Sequence, residues 1–398
     1  MRFFAPRGVP HLQAVKVCCL NAYKSIAFHL NDMYSSYQTA LLGTLHNLSN
    51  HQIFSDFKRL NLEANEINLF NISFTKHQIL RSKIERLQHL TEIDVALICP
   101  LNLENIADSL GSKYRVTRHH NFEHFYNCNV SQNQDTGSIV VLTNNVVANV
   151  GVDAVFAHLV RSPRDLIVIQ DYDNHHWFQM SVTCLLLADI YIPSHFRLPP
   201  LFPQLLHHAF KVIPTGSIQW SRKFLIANQS LILSENRPIR ILGRHSFYPQ
   251  FSYRNRVIST FNVKFDDVGF IDSHRMFHNL SPMDRLLAWT QSSLHLIVPV
   301  ADDIPIRFFD ALITGGMPIV PLHLEARLLE LGVPHHMFQT YGPLDLSEPE
   351  RGVLRWSEAF EESGLRGVLD RSNYANLRWH TDAVMLQVLD SIWAQTRN

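Results

Sequence analysis

Twice between residues 91 and 331 the chain alternates short runs of β-branched and apolar residues with segments of helical periodicity. Such a pattern has few solutions. Parallel strands need a crossover, a helix supplies it, and the sheet is then covered on both faces. The first series predicts strands over 94–99, 114–116, 138–142, 165–170 and 189–192, with helices over 103–110, 152–160 and 177–188. The second predicts strands over 239–243, 267–271, 294–300 and 317–322, with helices over 253–261, 282–290, 307–314 and 325–331. The expected fold class is α/β, two Rossmann-like domains facing a cleft. A chain of 398 residues is also longer than one hydrophobic core usually supports.

Prolines at 193, 199, 200 and 203, and the segment 234–238, punctuate the chain between the two series. The boundary is therefore placed near 236, giving a first domain over 91–235 and a second over 236–398, with the final helix crossing back. Residues 1–90 read as a mainly helical N-terminal region with no evident chemistry.

Lys plus Arg and Asp plus Glu both number 35, so the basic excess that tracks a nucleic-acid backbone is missing and no nucleic-acid partner is expected. No GxGxxG, Walker loop or Gly-x-Ser-x-Gly elbow is present, which argues against a dinucleotide oxidoreductase, a P-loop enzyme and an α/β hydrolase. The five cysteines are scattered and form no CxxC or zinc spacing, so no resident metal is expected and a reducing cytosol fits. The opening Met1–Arg7 stretch lacks a secretory apolar core, and the longest apolar run, 182–193, is interrupted by Asp189. A cytoplasmic protein is expected, and peripheral association with the inner face of a membrane is compatible with this.

In open α/β sheets ligands lie outside the carboxyl ends of the strands. The loop after the strand at 294–300 is acidic there: Asp302 and Asp303 precede Ile304-Pro305-Ile306-Arg307, and Asp310 is separated from Asp302 by seven residues. Gly315-Gly316-Met317-Pro318 then leads into the next strand. A carboxylate has two acceptor oxygens that match a vicinal diol, so one acid can hold a sugar and the other a ribose. Backbone N–H groups at a helix start can face a diphosphate. Spacing alone discriminates little, because 35 acids in 398 residues give about three pairs at any fixed separation by chance. The flanking strand, helix and Gly-Gly-x-Pro carry the signal. The alternative is that Asp302 and Asp303 cap the helix and Asp310 makes a surface ion pair.

This 302–318 stretch resembles the donor-binding motif of retaining GT-B glycosyltransferases and exostosin-like enzymes. The resemblance covers about 25 residues closely and the element order of 236–340 loosely. It implies that Asp302 contacts the donor sugar. It also implies that the backbone of Asp303, Ile304 and Ile306, with Arg307, meets sugar and phosphates, that Asp310 meets the ribose, and that Gly315 lets the helix turn into the next strand. The family's Gly-Arg after the first strand of this domain corresponds to Gly243-Arg244. Its Lys is absent, and Arg254 or Arg256 are the nearest substitutes. Both acids are Asp where Glu is more usual, and Pro305 removes an N–H. The implied reaction transfers a sugar from a nucleotide-sugar donor to a glycan or lipid-linked acceptor hydroxyl, with retention and without a cofactor or metal.

In the first domain Asp171-Tyr172-Asp173-Asn174-His175-His176 follows a buried strand. His175, His176 or Asp173 are candidate catalytic residues facing the acceptor, since imidazole titrates near neutrality; the alternative is a helix cap with structural histidines. Asp171 and Asp173 also have the Asp-x-Asp form by which GT-A transferases hold a divalent cation. An epimerase of the same architecture, and a non-catalytic sugar-nucleotide scaffold, are the remaining readings.

Overall fold

The computed structural model describes residues 80–390, apart from 99–113, 120–136 save Phe122 and Phe125, 172–177, 195–210, 213–218, 272–279, 301–302 and isolated positions within 152–163, 235–236 and 381–388. The expected helices of 1–79 and 103–110 lie outside the described residues.

The protein is α/β with two parallel sheets. In the first, β1 (Ile93–Ile98), β2 (Tyr114–Arg118), β3 (Ile139–Thr143), β4 (Leu166–Asp171), β5 (Ile190–Pro193) and the short β6 (Lys211–Val212) stand in the order β2-β1-β3-β4-β5-β6. In the second, β7 (Ile241–His245), β8 (Val268–Phe270), β9 (Leu294–Leu296), β10 (Met317–Pro321) and β11 (Gln339–Tyr341) stand in the order β11-β10-β9-β7-β8. All neighbours pair in parallel. Apart from β6 the two orders are the same. Each sheet changes its direction of growth next to its first strand, between β1 and β3 and between β7 and β9.

Burial explains why the strands read as unbroken apolar runs. Every residue of β3 and β4 is buried, as expected when helices cover both faces. In the second sheet side chains alternate: Leu294, Leu296 and Val298 join one core with Ile258, Phe261 and Trp356, while Ile297 and Val320 join another with Phe308, Phe309 and Leu312. Trp220, Leu225 and Ile232 also pack into that second-sheet core, although they precede Pro238. Val384 and Leu389, at the far end of the chain, pack against β1, β3 and β4.

The helices that matter below are α1 (Ser252–Asn262), α2 (Pro282–Thr290), α3 (Ile306–Ile313) and α4 (Pro349–Arg378). The last is broken at Gly364, where φ is +54°. Ser281 caps α2 by accepting from Asp284 N, and Pro282 occupies its first turn. The first sheet is held at its amino edge by acids standing just before strands. Asp189 accepts from Lys83 Nζ and from Ile167 N, both at 2.8 Å. Asp165 accepts from Ser138 and contacts His158 Nε2 at 2.9 Å. No described helix is long and apolar enough to cross a membrane.

Candidate functional site at the carboxyl edge of the second sheet

The point where the second sheet reverses its growth is the one at which an open α/β sheet offers a crevice. There β7 runs out into Ser246 and β9 runs on through Val298 towards Asp303. Arg254, in the first turn of α1, ties the two together: Nε donates to Val298 O at 3.1 Å and Nη1 to Ser246 O at 2.8 Å. The guanidinium lies 5.1 Å from the centre of the Tyr248 ring, a cation–π arrangement. Neighbouring Asn255 donates to Tyr248 O at 2.6 Å, which fixes that loop. Arg254 is buried and forms no ion pair among the described residues. Burial lowers its pKa.

A second guanidinium comes from Arg307, in the first turn of α3. The residue as a whole is half-buried. Burial first, then the nearby Arg254 charge, brings its pKa down to about 10, with Asp310 opposing. His245, the last residue of β7, is buried, and its Nε2 has no hydrogen-bond partner among the described residues. Burial, Arg307 and Arg254 hold this imidazole well below its usual pKa and so neutral, with the Leu296 backbone opposing. Two cations and a neutral imidazole thus meet at one edge. Burying a charge costs several kcal/mol per ion unless something opposite answers it, and the acid whose charge acts on Arg307 is Asp310.

Asp310 is itself only 3% exposed. Its two oxygens accept from Gln219 N at 3.2 Å and Gln219 Nε2 at 3.0 Å. Burial pushes its pKa up to about 7, opposed by the Gln219 bonds and the Arg307 charge. Asp310 is therefore not a surface ion-pair residue. The cap position of α3 is taken by Pro305, and no side-chain cap bond is formed there. Asp303 and Ile304 are buried beside that start, Ile304 within the core, and Ile306 is half-buried.

The edge thus assembles Arg254, Asp303, Arg307 and Asp310 from the sequence expectations, and adds His245, Tyr248 and Gln219. His245 had one signal, its place directly after Gly243-Arg244 at the end of a strand. Gln219 had none, being 91 residues from Asp310. Two candidates lie elsewhere. The Arg244 guanidinium reaches back to Asp266 O at 2.7 Å, in the turn before β8, because its position on β7 alternates with buried Gly243 and His245. Gly315 lies at the opposite edge, since α3 carries the chain back to the amino end of β10. There its φ is +74° and a Cβ would meet Val368 Cγ1 at 2.5 Å, so glycine is needed for the turn. Asp302, Asp173, His175 and His176 lie outside the described residues.

At the carboxyl edge of the first sheet Asp171 is fully buried. Its Oδ1 accepts from Asn144 Nδ2 at 2.9 Å and its Oδ2 from Tyr191 Oη at 2.6 Å. Burial, followed by the Asp171 charge, raises the Tyr191 pKa. Both oxygens are committed to internal bonds, an arrangement that ties β4 to β5 and to the helix after β3. Among the described residues no group of three or more His, Cys, Asp or Glu side chains could hold a metal ion.

No protein-family model matches the chain, and no curated protein matches it in sequence.

Proposed function

We propose that this protein is a glycosyltransferase of the GT-B type, which binds a nucleotide sugar at the carboxyl edge of the second sheet and transfers the sugar to a hydroxyl of a glycan or lipid-linked acceptor. The observation that carries this reading is the convergence of Arg254, Arg307 and His245 on the β7/β9 reversal, beside the Asp303–Asp310 segment. A diphosphate suits the neighbouring guanidinium groups of Arg254 and Arg307 better than any neutral ligand, because charge-assisted bonds are the strong ones. Arg254 and Arg307 would hold the diphosphate and, in the transfer, the charge that develops on it. The bond from the anomeric carbon to the phosphate oxygen breaks, the bond to the acceptor oxygen forms, and the acceptor proton leaves to a base or to the departing phosphate.

Neutral His245 offers one ring nitrogen to a donor hydroxyl. Asp302 and the backbone from Asp303 to Ile306 are assigned to the sugar by the motif resemblance. A ribose at Asp310 would take the place of Gln219. The first domain, with Asp173, His175 or His176, would present the acceptor, and closure of the two domains would exclude water.

Calorimetric titration with a panel of nucleoside diphosphates and their sugar conjugates tests the reading. At least one should bind, and Arg307→Met should weaken it by roughly 30- to 100-fold, the loss expected for hydrogen bonds to a charged group. Unaltered affinity in that variant contradicts the assignment.

A further inference from the structure

The amino edge of the second sheet holds a cationic group that the donor site does not use. Helix α3 ends there, and its last carbonyls are taken up in turn. Ser372 Oγ donates to Ile313 O at 2.8 Å, Arg237 Nη2 to Thr314 O, and Arg371 Nε to Gly315 O at 3.0 Å. Cations suit a helix carboxyl end, and one would serve the purpose. Here two guanidinium groups stand on adjacent carbonyls, with Arg237 7% and Arg371 1% exposed.

Their remaining bonds do not use up their donors. Arg237 Nη2 also reaches Ile232 O at 3.2 Å, and Arg371 Nη1 reaches Ser363 Oγ at 3.3 Å. Among the described residues Arg237 Nε and Nη1 and Arg371 Nη2 have no acceptor. Neither arginine forms an ion pair there; Asp370 acts on Arg371 through space only. Burial lowers the pKa of Arg237 to about 10, and burial with the Arg237 charge lowers that of Arg371 to about 9.

His295 completes the group. Its ring stacks on Trp289 at 4.7 Å and lies against Gly316, where an added Cβ would come within 2.2 Å of Nε2. Neither ring nitrogen makes a well-formed hydrogen bond among the described residues, although the Ser292 backbone lies near enough to act on the ring. Burial, the two arginines and an opposing Ser292 backbone group leave the ring neutral. A buried N–H without an acceptor is costly, and native structures answer it with an ion or a bound water. A carboxylate is the usual answer to paired guanidinium groups, but the turn beside them is Thr314-Gly315-Gly316. Neither glycine can carry a side chain there, since Val368 and His295 occupy the space.

We propose that Arg237, Arg371 and His295 form an internal binding site for a small monovalent inorganic anion of the chloride class. The burial of all three restricts the occupant to ionic size, and an anion supplies both the missing acceptor and the missing charge. The site lies across the sheet from the donor edge and is independent of the functional reading.

Wild-type crystals soaked in bromide decide the matter. An anomalous peak within hydrogen-bonding reach of both Arg237 and Arg371 is expected; no peak there, or peaks only at the protein surface, overturns the proposal. In solution at constant ionic strength, replacing gluconate by chloride should raise the Tm of the wild type by about 3 °C. That rise should vanish in Arg371→Gln. An equal rise in both proteins counts against the site, and the bromide experiment stands even if the variant does not fold.

Discussion

The two sheets share a strand order and differ in the charge they bury at the carboxyl edge. The first buries an acid, Asp171, and satisfies it internally through Asn144 and Tyr191. The second buries Arg254, which among the described residues hydrogen-bonds to the backbone carbonyls of Val298 and Ser246, beside Arg307 and a His245 nitrogen with no bond among those residues. An edge whose acid is bonded internally contributes stability and rigidity, whereas an edge where two guanidinium groups meet attracts an anion. With equal topology at the two carboxyl edges, the local balance of charge and hydrogen bonding is the ground on which we propose the second for a phosphate.

The largest effect should come from the completed edge. Asp171→Ala leaves the Tyr191 hydroxyl and the Asn144 amide buried without their acceptor, at about 1–3 kcal/mol each. Denaturant unfolding should show a loss of about 2–5 kcal/mol, with nucleotide affinity unchanged. A matching loss of affinity would erase the contrast between the sheets.

Asp310 sharpens the contrast through pH. Its folded pKa, about 7, lies above the ordinary 3.8, so the protonated form is favoured on folding. Its contribution to stability is full below pH 3.8 and is lost as pH rises through about 7. Relative to Asp310→Asn, the wild type should lose on the order of 3 kcal/mol between those limits. Parallel stability profiles for the two proteins would show that Asp310 titrates as an ordinary surface acid.

The smallest effect belongs to Arg244. Its guanidinium is half-exposed and turned to Asp266 and Asp267, so Arg244→Gln should change stability by less than about 0.5 kcal/mol and leave nucleotide affinity within about twofold. A tenfold loss of affinity would place the phosphate nearer β8 than the β7/β9 reversal.

Much of this fold was legible in the sequence because its signals are local. Unbroken apolar runs marked β3 and β4 to within one residue, and the helix expected over 282–290 coincides with α2. The strand β11, Gln339–Tyr341, has a mixed burial pattern over three residues and gave no such run. Long-range pairings were not legible. Asp310 has the same sequence signature whether it faces solvent or Gln219, and only the packing of Trp220 and its neighbours against α3 brings Gln219 there. Arg254 was readable as a cation near the edge. The bonds that fix its guanidinium depend on Ser246 and Val298 standing on adjacent strands, a consequence of sheet order alone.

The central claim is tested most directly by crystallising the chain with the nucleoside diphosphate that binds best and locating its phosphates. The account predicts them within hydrogen-bonding distance of Arg254 or Arg307, between the ends of β7 and β9. Phosphates found instead beyond β4 and β5, beside Asp171, would contradict it.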